Sequence, residues 1–116
     1  MDLRECYAQM GGDYDAVIGR LRSEDRVVRF AGLFRSDESF SLLETAMAAS
    51  DWPTAFRAAH TLKGVALNLA FTRLANSSSE LTEALRSGAP TQDPGPLFET
   101  VKTDYQAVLT ALDALA

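Results

Sequence analysis

The sequence predicts an all-α protein: an antiparallel up-and-down four-helix bundle with additional short N-terminal helices, in a single domain spanning residues 1–116. Three observations predict it. Apolar residues recur at three- and four-residue intervals, which lines one face of a helix. No segment alternates apolar and polar residues over a useful length. Turn residues cluster in a few places: Gly11-Gly12, Ser36-Asp37, Asp51-Trp52-Pro53, and Gly88 to Pro96. Four substantial helices joined by short connections suit a bundle, with its core over about 23–115.

Each element follows from local signals. Asp2 to Met10 can make a short helix, and Asp13 to Leu21 a second one weakened by Gly19. Glu24 to Arg35 carries Val27, Val28, Phe30, Ala31 and Phe34, with Ser23 as N-cap. Asp37 to Ala49 carries Phe40, Leu43, Ala46 and Met47 on one stripe. Asp51 can cap the next helix, whose first turn tolerates Pro53 and which should run to about Leu69. Thr72 to Ser87 places Leu74, Leu81 and Leu85 on a common face, and Gly88 ends it. "GAPTQDPGP" is the clear loop. Pro96 to Leu115 then carries Leu97, Val101, Tyr105, Val108, Leu112 and Leu115 at helical spacing. These stripes read as core packing.

Composition narrows the function. The 116 residues are 47% hydrophobic and 23% charged, enough to bury a core. The apolar runs are too short to span a membrane, and no secretory signal is visible, so a cytoplasmic location is expected. The net charge of −5 argues against a nucleic-acid binder. One histidine and one distant cysteine make no zinc constellation, so no metal site is expected. Cys6 reads as a packed or surface thiol, since no second histidine could activate it. No dinucleotide fingerprint, P-loop or nucleophile elbow is present.

The histidine stands in "RAAHTLKGVALNLAF", residues 57–71. With His60 at zero on a helical wheel, Leu62, Val65 and Leu69 fall at about 200°, 140° and 180°. Ala55, Ala58 and Ala66 lie beside them, so the core face is opposite His60 and the ring should point outward. Lys63, Gly64, Phe56, Arg57, Leu67 and Asn68 share or flank the outward face, a mixture of apolar and basic groups. Gly64 costs about 1 kcal/mol relative to alanine in a helix interior. Its spacing suits either close approach of another helix or open access to the imidazole, over which a longer side chain would lean. Lys63 is either a solvated surface lysine or a cation placed to stabilise an anionic group on the ring.

"AHTLKGVALNLAF" resembles the histidine-containing phosphotransfer (HPt) domain family. His60, Leu62, Lys63, Gly64 and Asn68 match its H-x-[LI]-K-G pattern and the residues that follow. The resemblance covers about 23–115 and is closest over 51–85. It implies a phosphocarrier in a two-component phosphorelay, without its own ATP site. His60 would accept the phosphoryl group, Lys63 would help hold its oxygens, and Gly64 would clear space for the partner. The implied partners are response-regulator receiver domains, a hybrid histidine kinase, or both. The receiver would supply Mg²⁺, and the protein itself would bind no cofactor. A docking surface of Phe56, Arg57, Leu67 and Asn68 is expected around the histidine on a monomeric protein.

The sequence departs from the family pattern in three places. Ala70 stands where the family ends its histidine helix with glycine, so a left-handed backbone there would be strained unless Thr72 caps a different turn. Thr82 stands where many members place a Gln or Glu that orients the ring; Ser78 and Glu83 are nearby alternatives. Leu67 is bulkier than the small residue expected there. Two other readings follow: an HPt-like module that docks receivers without relaying phosphate, and the dimerisation domain of a histidine kinase. The second is disfavoured because Thr61, not an acidic residue, follows the histidine.

Overall fold

The computed structural model describes residues 1–115. Seven helices occupy most of them: α1 (Leu3–Met10), α2 (Tyr14–Leu21), α3 (Glu24–Phe34), α4 (Ser39–Ala48), α5 (Trp52–Asn68), α6 (Thr72–Ala84) and α7 (Pro94–Asp113). No strand occurs among the described residues. Helices α4 to α7 pack in chain order, α4 on α5, α5 on α6 and α6 on α7, while α1 lies against α7.

Side-chain caps set most of the starts, because the first amides of a helix lack partners within it. Asp2 and Glu5 form a capping box on α1. Asp13, Ser23, Asp51 and Asp93 cap α2, α3, α5 and α7. α4 begins later than expected, at Ser39, because the Asp37 carboxylate takes the Ser39 N–H at 2.8 Å in a turn of its own. α7 begins earlier, at Pro94, since Asp93 accepts from Gly95 N–H at 3.0 Å. α6 stops at Ala84 rather than Ser87: the loop folds back, and Thr91 N–H bonds the Ala84 carbonyl at 2.9 Å.

The core is a continuous apolar cluster drawn from all seven helices. Aromatic rings connect its parts. Tyr7 of α1 meets Phe71 before α6, Phe71 meets Phe34 of α3, and Phe34 meets Tyr105 of α7. Tyr105 stacks on Phe40 of α4 at 4.1 Å and 6°. One expectation fails on α3. Val27, Ala31 and Phe34 are buried there, but Val28 and Phe30 are exposed. α3 covers the bundle with one narrow face, so residues about 100° to either side of that face meet solvent.

Candidate functional site

α5 places the histidine on its outer ridge, because the opposite face is consumed by packing. Ala55, Ala58, Ala59, Leu62 and Ala66 are buried, Val65 is half-buried, and His60 is exposed. Four alanines on the inner face let α4 and α6 approach closely. The ridge is therefore fixed by helices packed on both flanks.

The His60 ring rests on Phe56, one turn earlier, with centroids 6.2 Å apart and planes 10° from parallel. Phe56 is half-buried and packs against the core, so it forms a floor for the imidazole. Arg86, in the turn just after α6, lies over the same Phe56 ring at 5.5 Å. Its guanidinium is paired with Glu83. Lys63 is half-buried and, among the described residues, makes no salt bridge. Arg57 is exposed and donates to Thr54 Oγ1 at 3.3 Å. Between Trp52 and Asn68, α5 has no carboxylate. On a chain of net charge −5, this face is thus a local island of cations suited to an anion.

Gly64 borders the ring on open space. A Cβ built there meets nothing within 4 Å. No other helix packs at that point, so close helix approach is not its purpose. The His60 side chain is also beyond that distance, so a single methyl would not crowd the imidazole. The clearance concerns longer side chains and whatever approaches from outside.

Thr82 does not orient the ring. It is fully buried, and its hydroxyl donates to the Ser78 carbonyl at 2.7 Å, within α6. A threonine inside a helix commonly bonds the carbonyl four residues back, and here that bond uses its donor. Of the alternatives, Glu83 is paired with Arg86, and the buried Ser78 hydroxyl has no hydrogen-bond partner. Among the described residues, no hydrogen bond reaches either ring nitrogen of His60; the Phe56 stack is what holds it.

The end of α5 has the strained corner that its sequence foreshadows. Ala70 has φ +56, in the left-handed region. Thr72 is not a cap: Phe71 occupies that position, without a side-chain cap bond. Leu67 and Asn68 are both exposed on the last turn, Leu67 at 51%. Phe56, Arg57, Leu67 and Asn68 are thus all carried on the helix that bears the histidine, spread over its length.

Residues 33–115 match the family model of the Hpt domain. The chain belongs to the Hpt domain family. No curated protein and no solved structure matches it. The Hpt match begins at Leu33, so α1, α2 and nearly all of α3 lie outside it. Among the described residues, no helix is long and apolar enough to cross a membrane.

Two features of this Hpt site escaped the sequence reading. Arg86 lies in the turn that follows another helix, α6, and the signal for it in the sequence was a cation near Gly88. The N-terminal helices reach the end of α5, as described below, and nothing in their spacing pointed there.

Proposed function

We propose that the protein is a phosphorelay intermediate that carries a phosphoryl group on His60 and exchanges it with the aspartate of receiver domains. The observation that carries this reading is an exposed imidazole, backed by a fixed aromatic ring, between cationic side chains and an unobstructed glycine. In the forward step, the outer ring nitrogen attacks the phosphorus of an aspartyl phosphate. An N–P bond forms, the P–O bond to the carboxyl group breaks, and the aspartate leaves as carboxylate. The reverse step returns the group to a receiver. Lys63 stabilises the phosphoryl oxygens, and Arg86 can exchange Glu83 for the same oxygens. The receiver supplies Mg²⁺; this chain contributes no cofactor and acts as a monomer in the cytoplasm.

The test is incubation with a phosphorylated receiver and Mg²⁺. Acid-labile label is expected on the parent chain and none on His60→Gln. Equal labelling of His60→Gln would overturn the reading. The Thr82 hydroxyl, turned to Ser78 rather than to the ring, favours a second reading: a module that docks receivers without relaying. That reading predicts receiver binding that survives His60→Gln with no transfer by the parent, and rapid transfer would exclude it.

A further inference from the structure

The final carbonyls of a helix have no donor within it and take partners from elsewhere. At the end of α5, Phe71 N–H bonds the Ala66 carbonyl at 2.8 Å, and Ala70 N–H bonds that of Leu67 at 3.1 Å. This is the Schellman corner, with alanine in the usual place of glycine. Four successive carbonyls of the corner, Leu67 to Ala70, also turn to one N-terminal segment. Arg20 Nη1 donates to Leu67 at 2.6 Å and to Asn68 at 2.8 Å. The Tyr7 hydroxyl donates to Leu69 at 2.7 Å, and Asp13 N–H donates to Ala70 at 2.9 Å. In return, the Gly11 carbonyl accepts from Arg73 N–H, in the first turn of α6, at 3.0 Å. Fit is close: a Cβ on Gly12 would sit 2.9 Å from the Ala70 carbonyl oxygen.

Arg20 is the member of this set that acts on the outward face. Its side chain is exposed, so it is replaceable without emptying the core. Its positive charge faces the negative end of the α5 dipole. The two carbonyls it holds belong to Leu67 and Asn68, whose residues are exposed on the same turn. We propose that Arg20 is a positioning residue: through the Leu67 and Asn68 carbonyls it fixes the last turn of α5, and with it the end of the docking face that carries Leu67 and Asn68. The inference rests on the reading of His60 as the exchange site. Arg20 holds a turn two turns beyond His60 and does not touch the reacting atoms. Its effect therefore belongs to the encounter with the receiver and not to the chemical step.

The experiment compares the full chain with Arg20→Met and Arg20→Lys. Transfer rate is fitted against the concentration of one phosphorylated receiver, and amide hydrogen exchange is followed over residues 66–73. Arg20→Met should raise the half-saturating receiver concentration about tenfold, as expected for lost charge-assisted bonds, with the maximal rate within about twofold of the parent. Exchange at Ala70 and Phe71 should quicken. Arg20→Lys keeps the charge and offers three donors, so it should recover most of both. Unchanged half-saturation in Arg20→Met, a fall confined to the maximal rate, or a lysine variant as impaired as methionine would overturn the proposal. A parent chain that takes no phosphate would instead overturn the reading of His60. In that case unchanged exchange in Arg20→Met would overturn Arg20's hold on the corner, and faster exchange would support it.

Discussion

Gly64 is a residue at which stability and transfer should move in opposite directions. Its surroundings are empty, so a side chain there meets no steric penalty within the protein. Gly64→Ala should stabilise the chain by about 0.5–1 kcal/mol, the cost of glycine in a helix interior. Gly64→Gln should keep much of that gain and yet slow phosphoryl exchange at least about tenfold, because its longer side chain fills the approach to His60. Urea midpoints and transfer rates measured on the same variants check both halves. Ala70 shows the reverse case, a strained residue that glycine would relieve: with φ +56, Ala70→Gly should raise stability by about 0.5–1 kcal/mol after the added freedom of the unfolded chain is counted. How far residues could be read from sequence follows the same physics. His60 is exposed because the 3.6-residue period commits the other side of α5 to the core, and that period is written in the chain. Thr82 is different. Sequence places it on α6, but a rotamer decides whether its hydroxyl serves the ring or the Ser78 carbonyl.

At the scale of elements, the starts of α3 and α5 were legible from Ser23 and Asp51, but those of α4 and α7 and the end of α6 were not. Starts depend on Asp2, Asp13, Ser23, Asp51 and Asp93, whose short side chains act within one turn. Ends depend on what folds back on them, as Thr91 does on Ala84. The corner before α5 repeats the corner after it: Ser50 has φ +53, and Asp51 N–H bonds the Ala46 carbonyl at 2.9 Å. Asp51 then caps α5, accepting from Thr54 N–H at 3.3 Å. Hydrogen bonds from Thr54, side chain and backbone, hold the Asp51 carboxyl below its ordinary value of 3.8. A depressed carboxyl stabilises the fold above its unfolded value, and that contribution disappears as pH falls through the folded value. Asp51→Asn keeps a capping oxygen and removes the charge. The parent should therefore be the more stable protein at neutral pH, and the two should converge only below pH 3.8. Denaturant midpoints followed from neutral pH downward would show the convergence; a gap that persisted at the acid end would mean that the charge on Asp51 is not its source.

The whole molecule does not divide where the family match does. Residues 33–115 match the Hpt domain, yet Cys6, Tyr7, Met10 and Val17 are fully buried in the same core as Phe34, Leu62 and Phe71. The bundle was legible from periodicity. The place of α1 and α2 was not, because short helices reveal one apolar face each and nothing about which corner they cover. Tyr7 joins the two parts: its ring meets Phe71, and its hydroxyl donates to the Leu69 carbonyl. Tyr7→Phe should cost about 1–3 kcal/mol at neutral pH, since it leaves that carbonyl without its buried donor. The alkaline behaviour tests whether the phenol is buried in the folded chain. Burial, and to a lesser degree the neighbouring Cys6, raises the Tyr7 phenol above its ordinary value of 10.0. A raised group contributes stability that is complete below the unfolded value and is lost as pH rises through the folded one. The unfolded chain thus ionises first, and the parent loses stability above pH 10.0 that Tyr7→Phe does not have to lose. Urea midpoints of the two proteins should differ most at neutral pH and draw together above pH 10.0. Tyr14 and Tyr105 are common to both proteins, so their own raised values cancel in the comparison. A gap that stayed constant into the alkaline range would mean that the phenol ionises alike in the folded and unfolded chain, and so is not held as the buried donor that ties α1 to the end of α5.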